Sequence, residues 1–270
     1  TLAILAGLAG FIAWLSVPFN ILIIGSDAYA NQPTKGSRSD GLILVRVVPL
    51  TAQIKMVSIP RDSYAEIPCE NYKMDKITHS HAFGGTPCTV EAVEKLLDVK
   101  VDYHILFRFE NVMDITTMID GVDVVANHTF NQDYFDQEVF HFNKGQVYNL
   151  KGRQALAYTR HRKSDTAFKR DERQRQVIQG IVQKLSAPSG WKYIPKVLDY
   201  TKKNMEIEVN PIKALSAAPA ILLHHPIEQH ELQGDGRMIN GVYYYILNDN
   251  SLNDIIYDFQ NITVVRQTVR

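Results

Sequence analysis

Three apolar stretches near the start of the chain are bounded by charge in the same way. Residues 19–24 (FNILII) run on to Asp27; residues 42–48 (LILVRVV) are entered through Arg38 and Asp40; residues 54–59 (IKMVSI) break at Pro60 and leave on Arg61 and Asp62. Runs of this length, rich in β-branched residues and separated by turn residues, predict strands. If they neighbour one another in a sheet, their charged ends meet at one rim. Farther along, Arg160 and Arg162 close a helical stretch, and Arg170 and Gln174 continue the apolar stripe of the next helix at its N-terminal end. Core packing has no use for guanidinium groups at those places. A cluster of them suits a phosphate-rich anion, because each fork grips two phosphate oxygens and keeps its charge. The pattern predicts a pyrophosphate site.

The rest of the periodicity predicts an α/β fold. Residues 49–53 make a turn that folds 54–59 back as a hairpin. Residues 89–97 place Val90, Val93, Leu96 and Leu97 on one helical face behind Thr89 as N-cap. A strand at 103–109, a helix at 110–120 and a strand at 121–126 follow. The aromatic segment 127–147 leads to a short helix at 150–162, and 170–185 is the clearest helix, with Val177, Ile178, Ile181, Val182 and Leu185 as its buried stripe. Elements at 194–200 and 211–223, a hairpin around 234–241 and a helix at 251–259 complete a central mixed sheet flanked by helices on both faces. With 270 residues and 45% hydrophobic content the chain can bury one large core. Its formal net charge is zero, yet residues 151–175 hold nine Lys or Arg against three acids. Basicity that local marks a site and not a coat for polyanions. Arg173 and Arg175 read as a solvated helix turn.

Location is written at the N-terminus. Residues 2–17 (LAILAGLAGFIAWLSV) carry no charge, and Trp14 sits where an interfacial aromatic belongs. The run is a little short of the roughly 20 residues a span needs. It predicts a retained signal anchor at residues 1–17, truncated upstream, a catalytic domain at 18–262 and a tail at 263–270. The protein is thus expected as a single-pass membrane protein with its domain outside the cytoplasm. Cys69 and Cys88 agree with that compartment, since a bridge between them would close a loop of about 20 residues, worth roughly 3 kcal/mol, around Lys76. His79 and His81 match no zinc spacing.

In order, GSD (25–27), RSD (38–40), IPRD (59–62), DKI with a following AFGG (75–85), YTRHR (158–162) and RDERQRQ (170–176) resemble the LytR-CpsA-Psr family. The resemblance runs from about residue 19 to 185 and more weakly to 257. Each motif alone is weak; six in sequence are specific. It implies a membrane-anchored phosphotransferase that moves a phosphate-linked glycopolymer from a polyprenyl-pyrophosphate carrier to a peptidoglycan hydroxyl, with Mg2+ or Mn2+. It also implies that Asp27 and Asp40 hold the metal and that Arg38, Arg61, Lys76, Arg160, Arg162, Arg170 and Gln174 contact pyrophosphate. Ala28 and Tyr29 stand where the family often has arginine, and Thr78 replaces the usual asparagine.

The chemistry is intelligible without the family. Phosphoryl transfer asks a protein to position groups and absorb charge, so carboxylates on a divalent ion plus fixed arginines suffice. Asp27 or Asp40 could serve as general base. A polyprenyl tail requires an apolar groove beside the arginines, with walls expected from the helices at 89–97, 110–120 and 170–185. A non-catalytic binder of lipid-linked glycans would need the arginines but not both aspartates, and a pyrophosphatase-type binder is the alternative reading. A nucleic-acid regulator using residues 160–163 would need the domain in the cytoplasm, so no nucleic-acid partner is expected.

Overall fold

The computed structural model describes residues 2–26, 36–134, 138–161, 167–222 and 227–260. Strands β1 (Phe19–Ser26), β2 (Ser39–Val48) and β3 (Gln53–Ile59) form an antiparallel meander, turned between β2 and β3 at Pro49–Thr51. Strand β4 (Tyr103–Arg108) lies parallel to β1 on its other side. The edges are β5 (Glu206–Glu208), antiparallel to β4, and β6 (Glu228–Glu231), parallel to β3. The sheet is therefore mixed, in the order β5-β4-β1-β2-β3-β6. Because β1, β3 and β4 all end at the rim where β2 begins, that rim collects Ser26, Ser39, Asp40, Arg61 and Arg108. The two edge strands escape sequence reading because, at three and four mostly polar residues, they are too short for alternation to register.

Alternation along the strands divides the core. Leu22, Ile24, Leu42, Leu44, Val57 and Ile59 face Ala92, Val93 and Leu97 of helix α2 (Thr78–Leu97), together with Ile255 and Phe259 of the helix Asp249–Gln260. Their neighbours Ile23, Gly25 and Gly41 point the other way, towards α3 (Phe109–Met118) and α5 (Ala167–Ser186). On that side α3, α4 (Arg153–Arg160), α5 and α6 (Ile194–Asn204) share a second core built on Ile115, Phe142, Tyr158, Val177 and Val197. Helices thus cover both faces. The strand expected at 121–126 stays out of the central sheet: Val122–Val125 pairs with Val147–Leu150 in a separate ribbon, and the aromatic segment between holds the hairpin Phe130–Tyr134 with Glu138–Phe142.

Helix α2 begins eleven residues before the expected start, at Thr78, and breaks at Gly85, whose φ of 68° and ψ of −156° lie outside helical space. Pro87 then restarts the helix, where its missing N–H costs nothing. Cys69 and Cys88 are joined in the structure, with Cα atoms 5.8 Å apart. Gly84 lies against the bridge: a methyl group there would fall 2.8 Å from Cys69 Sγ and 2.5 Å from Cys88 Cβ. The two glycines after AF therefore serve a break and a close approach.

Helix α1 (Leu2–Ser16) stands off the domain with Ile4, Leu8, Ile12 and Trp14 exposed. Its 15 residues reach about 22 Å at 1.5 Å per residue. No helix among the described residues is long and apolar enough to cross a membrane. The buried Lys213 ammonium donates to the carbonyls of Trp14, Leu15 and Val17 at the end of α1, and its burial, only partly offset by Asp102, lowers its pKa.

Candidate active site

The rim is built around an irregularity in β2. Gly25 pairs with Gly41 and Ser26 with Ser39, so Asp40 is an extra residue in the ladder. A bulge of this kind turns a side chain out of its regular direction. Asp40 accepts a hydrogen bond from Arg61 Nη1 at 2.8 Å, Arg61 Nε lies 3.5 Å from Asp62, and Lys76 Nζ lies 2.8 Å from the other oxygen of Asp62. Burial pulls the Arg61 guanidinium down, but Asp40 and Asp62 outweigh it and the net direction is up. Arg61 is therefore a fixed cation, oriented before any ligand binds.

Beneath the rim lies a cavity of about 210 Å³, between the sheet, α3 and α5. Ser26, Asp40, Thr159 and Gln174 stand among the residues of its wall; deeper in, the lining is Ile23, Ile105, Phe107, Ile115, Val177 and Ile181. Gln174 enters because Gly41 has no side chain: a methyl there would come within 2.8 Å of Gln174 Oε1. Arg170, buried, sits one helical turn before Gln174 on α5, and the exposed Arg160 ends α4 next to Thr159. Arg38, also exposed, precedes the bulge. Asp27 and Arg162 lie outside the described residues. Of the expected groove walls, α3 and α5 are present. The 89–97 segment is not, because Val93 packs on the opposite face of the sheet.

Arg173 and Arg175 correct the sequence reading most sharply. Instead of facing water they are 0% and 2% exposed. Arg173 donates from Nε to Tyr158 O at 2.8 Å and from Nη2 to His161 O at 2.9 Å, with its guanidinium over the Phe130 ring. It fixes the backbone on both sides of Arg160. Arg175 donates to Gln229, Ser58 and Glu231, tying α5 to β3 and β6. Sequence reasoning also missed His81, which is fully buried with Nδ1 3.1 Å from Ser37 O, and so holds the RSD segment. Thr78, where the family usually has asparagine, donates from Oγ1 to Ser39 O at 2.9 Å and from its backbone N–H to the Arg61 carbonyl at 3.1 Å, joining the two rim segments.

Carboxylate, hydroxyl and amide oxygens at this mouth are hard donors of the type that Mg2+ or Mn2+ takes when phosphate completes its shell. Asp40 is the described carboxylate among them. No group of three or more His, Cys, Asp or Glu with metal-site geometry occurs among the described residues.

A family model described as LytR_cpsA_psr matches residues 15–261. This chain belongs to the LytR-CpsA-Psr family. Among relatives of that family, the polyisoprenyl-teichoic acid–peptidoglycan teichoic acid transferase TagU of Bacillus licheniformis is 41% identical over 250 residues, covering 88% of this chain and 76% of its own. The crystal structure of B. subtilis TagV superposes with a TM-score of 0.80 at 28% identity, over 91% of this chain and 96% of that one. TagT bound to LIIa-WTA gives a TM-score of 0.75 at 32% identity, over 92% and 91%. The LytR-CpsA-Psr assignment accounts for the whole sheet, since the match extends through both edge strands.

Proposed function

We propose that this LytR-CpsA-Psr protein transfers a phosphate-linked glycopolymer from a polyprenyl-pyrophosphate carrier to a peptidoglycan hydroxyl. One observation carries the reading: an apolar cavity opens directly under a rim of arginines and carboxylates, which suits a ligand with an apolar tail and an anionic head. The tail lies against Ile23, Ile105, Val177 and Ile181; the pyrophosphate meets Arg61, Arg160 and Arg170, with Gln174 at the neck. Arg38 and Lys76 extend the same basic surface, and Arg162, outside the described residues, is assigned the same role on its sequence motif alone. As the acceptor oxygen closes on the glycan-bearing phosphorus, the guanidinium groups absorb charge gathering on the departing polyprenyl phosphate. The fixed ion pairs of Arg61 spare it reorganisation at that moment. Asp40 with Asp27 is the set that would hold Mg2+ or Mn2+, and a divalent ion held there would neutralise charge on the pyrophosphate. The relatives named for teichoic acid transfer support a wall glycopolymer as donor.

The apolar α1 and the Cys69–Cys88 pair support a membrane-anchored protein with its domain outside the cytoplasm, where disulfides persist. The test is transfer of a synthetic polyprenyl-pyrophosphate glycan to a peptidoglycan oligomer, read by mass spectrometry for the phosphodiester product. Hydrolysis of the donor with no product on the acceptor would establish a pyrophosphatase in its place.

A further inference from the structure

Beside the arginine rim lies a group of side chains with no part in holding the pyrophosphate. His79, in the first turn of α2, has Nδ1 2.9 Å from Asp75 Oδ2. A carboxylate only accepts, so Nδ1 carries the proton and Nε2 is left as an acceptor; the side chain is 27% exposed. Asp75 is itself held by the Lys76 N–H at 2.7 Å and by the Tyr244 hydroxyl at 3.4 Å. Lys76 in turn reaches Asp62, the partner of Arg61. The next residue of the chain before His79 is Thr78, bonded to Ser39 beside Asp40. The imidazole is thus tied to the phosphate rim by two short routes. A histidine whose tautomer is fixed by a carboxylate, with its second nitrogen facing outward, is the arrangement that removes a proton from an attacking hydroxyl.

Resting on the phosphotransfer reading above, we propose that His79 is the catalytic base for the acceptor sugar hydroxyl and that Asp75 positions it. Among the described residues the other candidates have prior engagements. Asp40 accepts from Arg61 at 2.8 Å, and His81 is enclosed, its Nε2 buried without a partner. Next to His79 the Phe83 ring is 43% exposed, and Tyr64 and Tyr244 stack edge to face at 4.9 Å. Aromatic faces flanked by polar tips suit a pyranose, whose C–H face is apolar and whose rim is hydroxyl. In the step, the acceptor O–H gives its proton to His79 Nε2 while its oxygen forms a bond to the glycan-bearing phosphorus. The P–O bond to the carrier phosphate breaks, and polyprenyl phosphate leaves with that electron pair. The imidazolium then releases its proton to water.

The charged and titratable groups around the imidazole and its carboxylate partner are Asp75 on the ribbon Tyr64–Ile67 with Lys73–Lys76, Lys76 and Asp62 behind it, and the Tyr244 hydroxyl on the hairpin Gly234–Leu247. The test uses the full chain in detergent, a synthetic polyprenyl-pyrophosphate glycan and a peptidoglycan oligomer, with kcat/KM measured against pH. His79→Gln keeps a donor to Asp75 but is no base. Transfer should fall about 10²- to 10⁴-fold, the acidic limb of the profile should vanish, and donor KM should hold. Asp75→Asn should give a smaller loss. Should His79→Gln misfold by circular dichroism, His79→Ala with added imidazole replaces it, and recovered transfer supports the base. A folded variant within threefold of wild type with its acidic limb intact overturns the proposal, as does a loss that imidazole leaves unrepaired. A wild-type protein that makes no phosphodiester takes down the phosphotransfer reading itself, which separates the two failures.

Discussion

Arg61 is held between two carboxylates, and its value lies in being a fork. Arg61→Ala should lower transfer at least 100-fold, the scale of losing one pre-placed charge donor at a transition state, with the melting temperature little changed because the side chain is 28% exposed. Near-normal transfer in a folded Arg61→Ala protein, and equally in Arg160→Ala and Arg162→Ala, would remove the arginine rim from the mechanism. Arg173 calls for the opposite outcome. Truncation strands two buried carbonyls at a cost of about 1–3 kcal/mol each, so Arg173→Ala should melt several degrees lower before any effect on chemistry is considered. Asp75 adds a pH dependence. Burial pushes its carboxyl up, but hydrogen bonds from His79, Lys76 N–H and Tyr244 bring the net direction below the usual range. A depressed carboxylate contributes stability above its unfolded value, near 3.9, and loses it as pH falls through the lower folded value. Asp75→Asn should therefore flatten the acid side of a melting-temperature profile in that window; an unchanged profile refutes the linkage. The arginines at strand ends were legible because a strand end is a local event. Arg173 was not, since its burial depends on carbonyls fifteen and twelve residues away and on a ring from another ribbon.

At the level of elements, one sheet with two unlike faces decides where a bulky residue hurts. Ile181 of α5 lines the cavity, whereas Val93 of α2 is sealed in the other core. Ile181→Trp should impair long-chain donors more than short-chain analogues. Val93→Trp should destabilise the fold by overpacking, about 1–3 kcal/mol, and affect both donors alike. Equal sensitivity of Ile181→Trp to both lengths would show a core position and no tunnel. The helices at the cavity could be read from their stripes, because apolar periodicity survives whether the stripe meets a core or a ligand. The side of the sheet could not, since a strand's two faces are exchanged by a single residue of register. The bulge at Asp40 was likewise invisible: RSDG reads as the entry to a strand, and only the pairing of Ser26 with Ser39 reveals the extra residue.

For the whole molecule, chelation of divalent ions should abolish transfer and added Mg2+ or Mn2+ restore it; an unaltered rate with chelator ends the metal part of the mechanism. Intact mass of protein made in an oxidising compartment should be two hydrogens lower than after reduction, with alkylation only of the reduced form. Two alkylated thiols without reductant would dissolve the clip that holds the Lys76 ribbon to α2. Fold class and the charged rim were readable from the first few runs of sequence, while the Lys213 contact, between residues some two hundred apart, was beyond any local pattern. That contact gives the molecule a stature. Lys213 clamps the foot of α1 to the base of the sheet, and β1 climbs from Phe19 to Ser26, about 23 Å at 3.3 Å per step. Were α1 seated in a bilayer, as proposed, the joint would behave as a mast and not as a tether. The reaction would then take place at one altitude above the lipid, the carrier's first isoprene units would have to be hoisted to it, and the wall strands within reach would be those passing at that height.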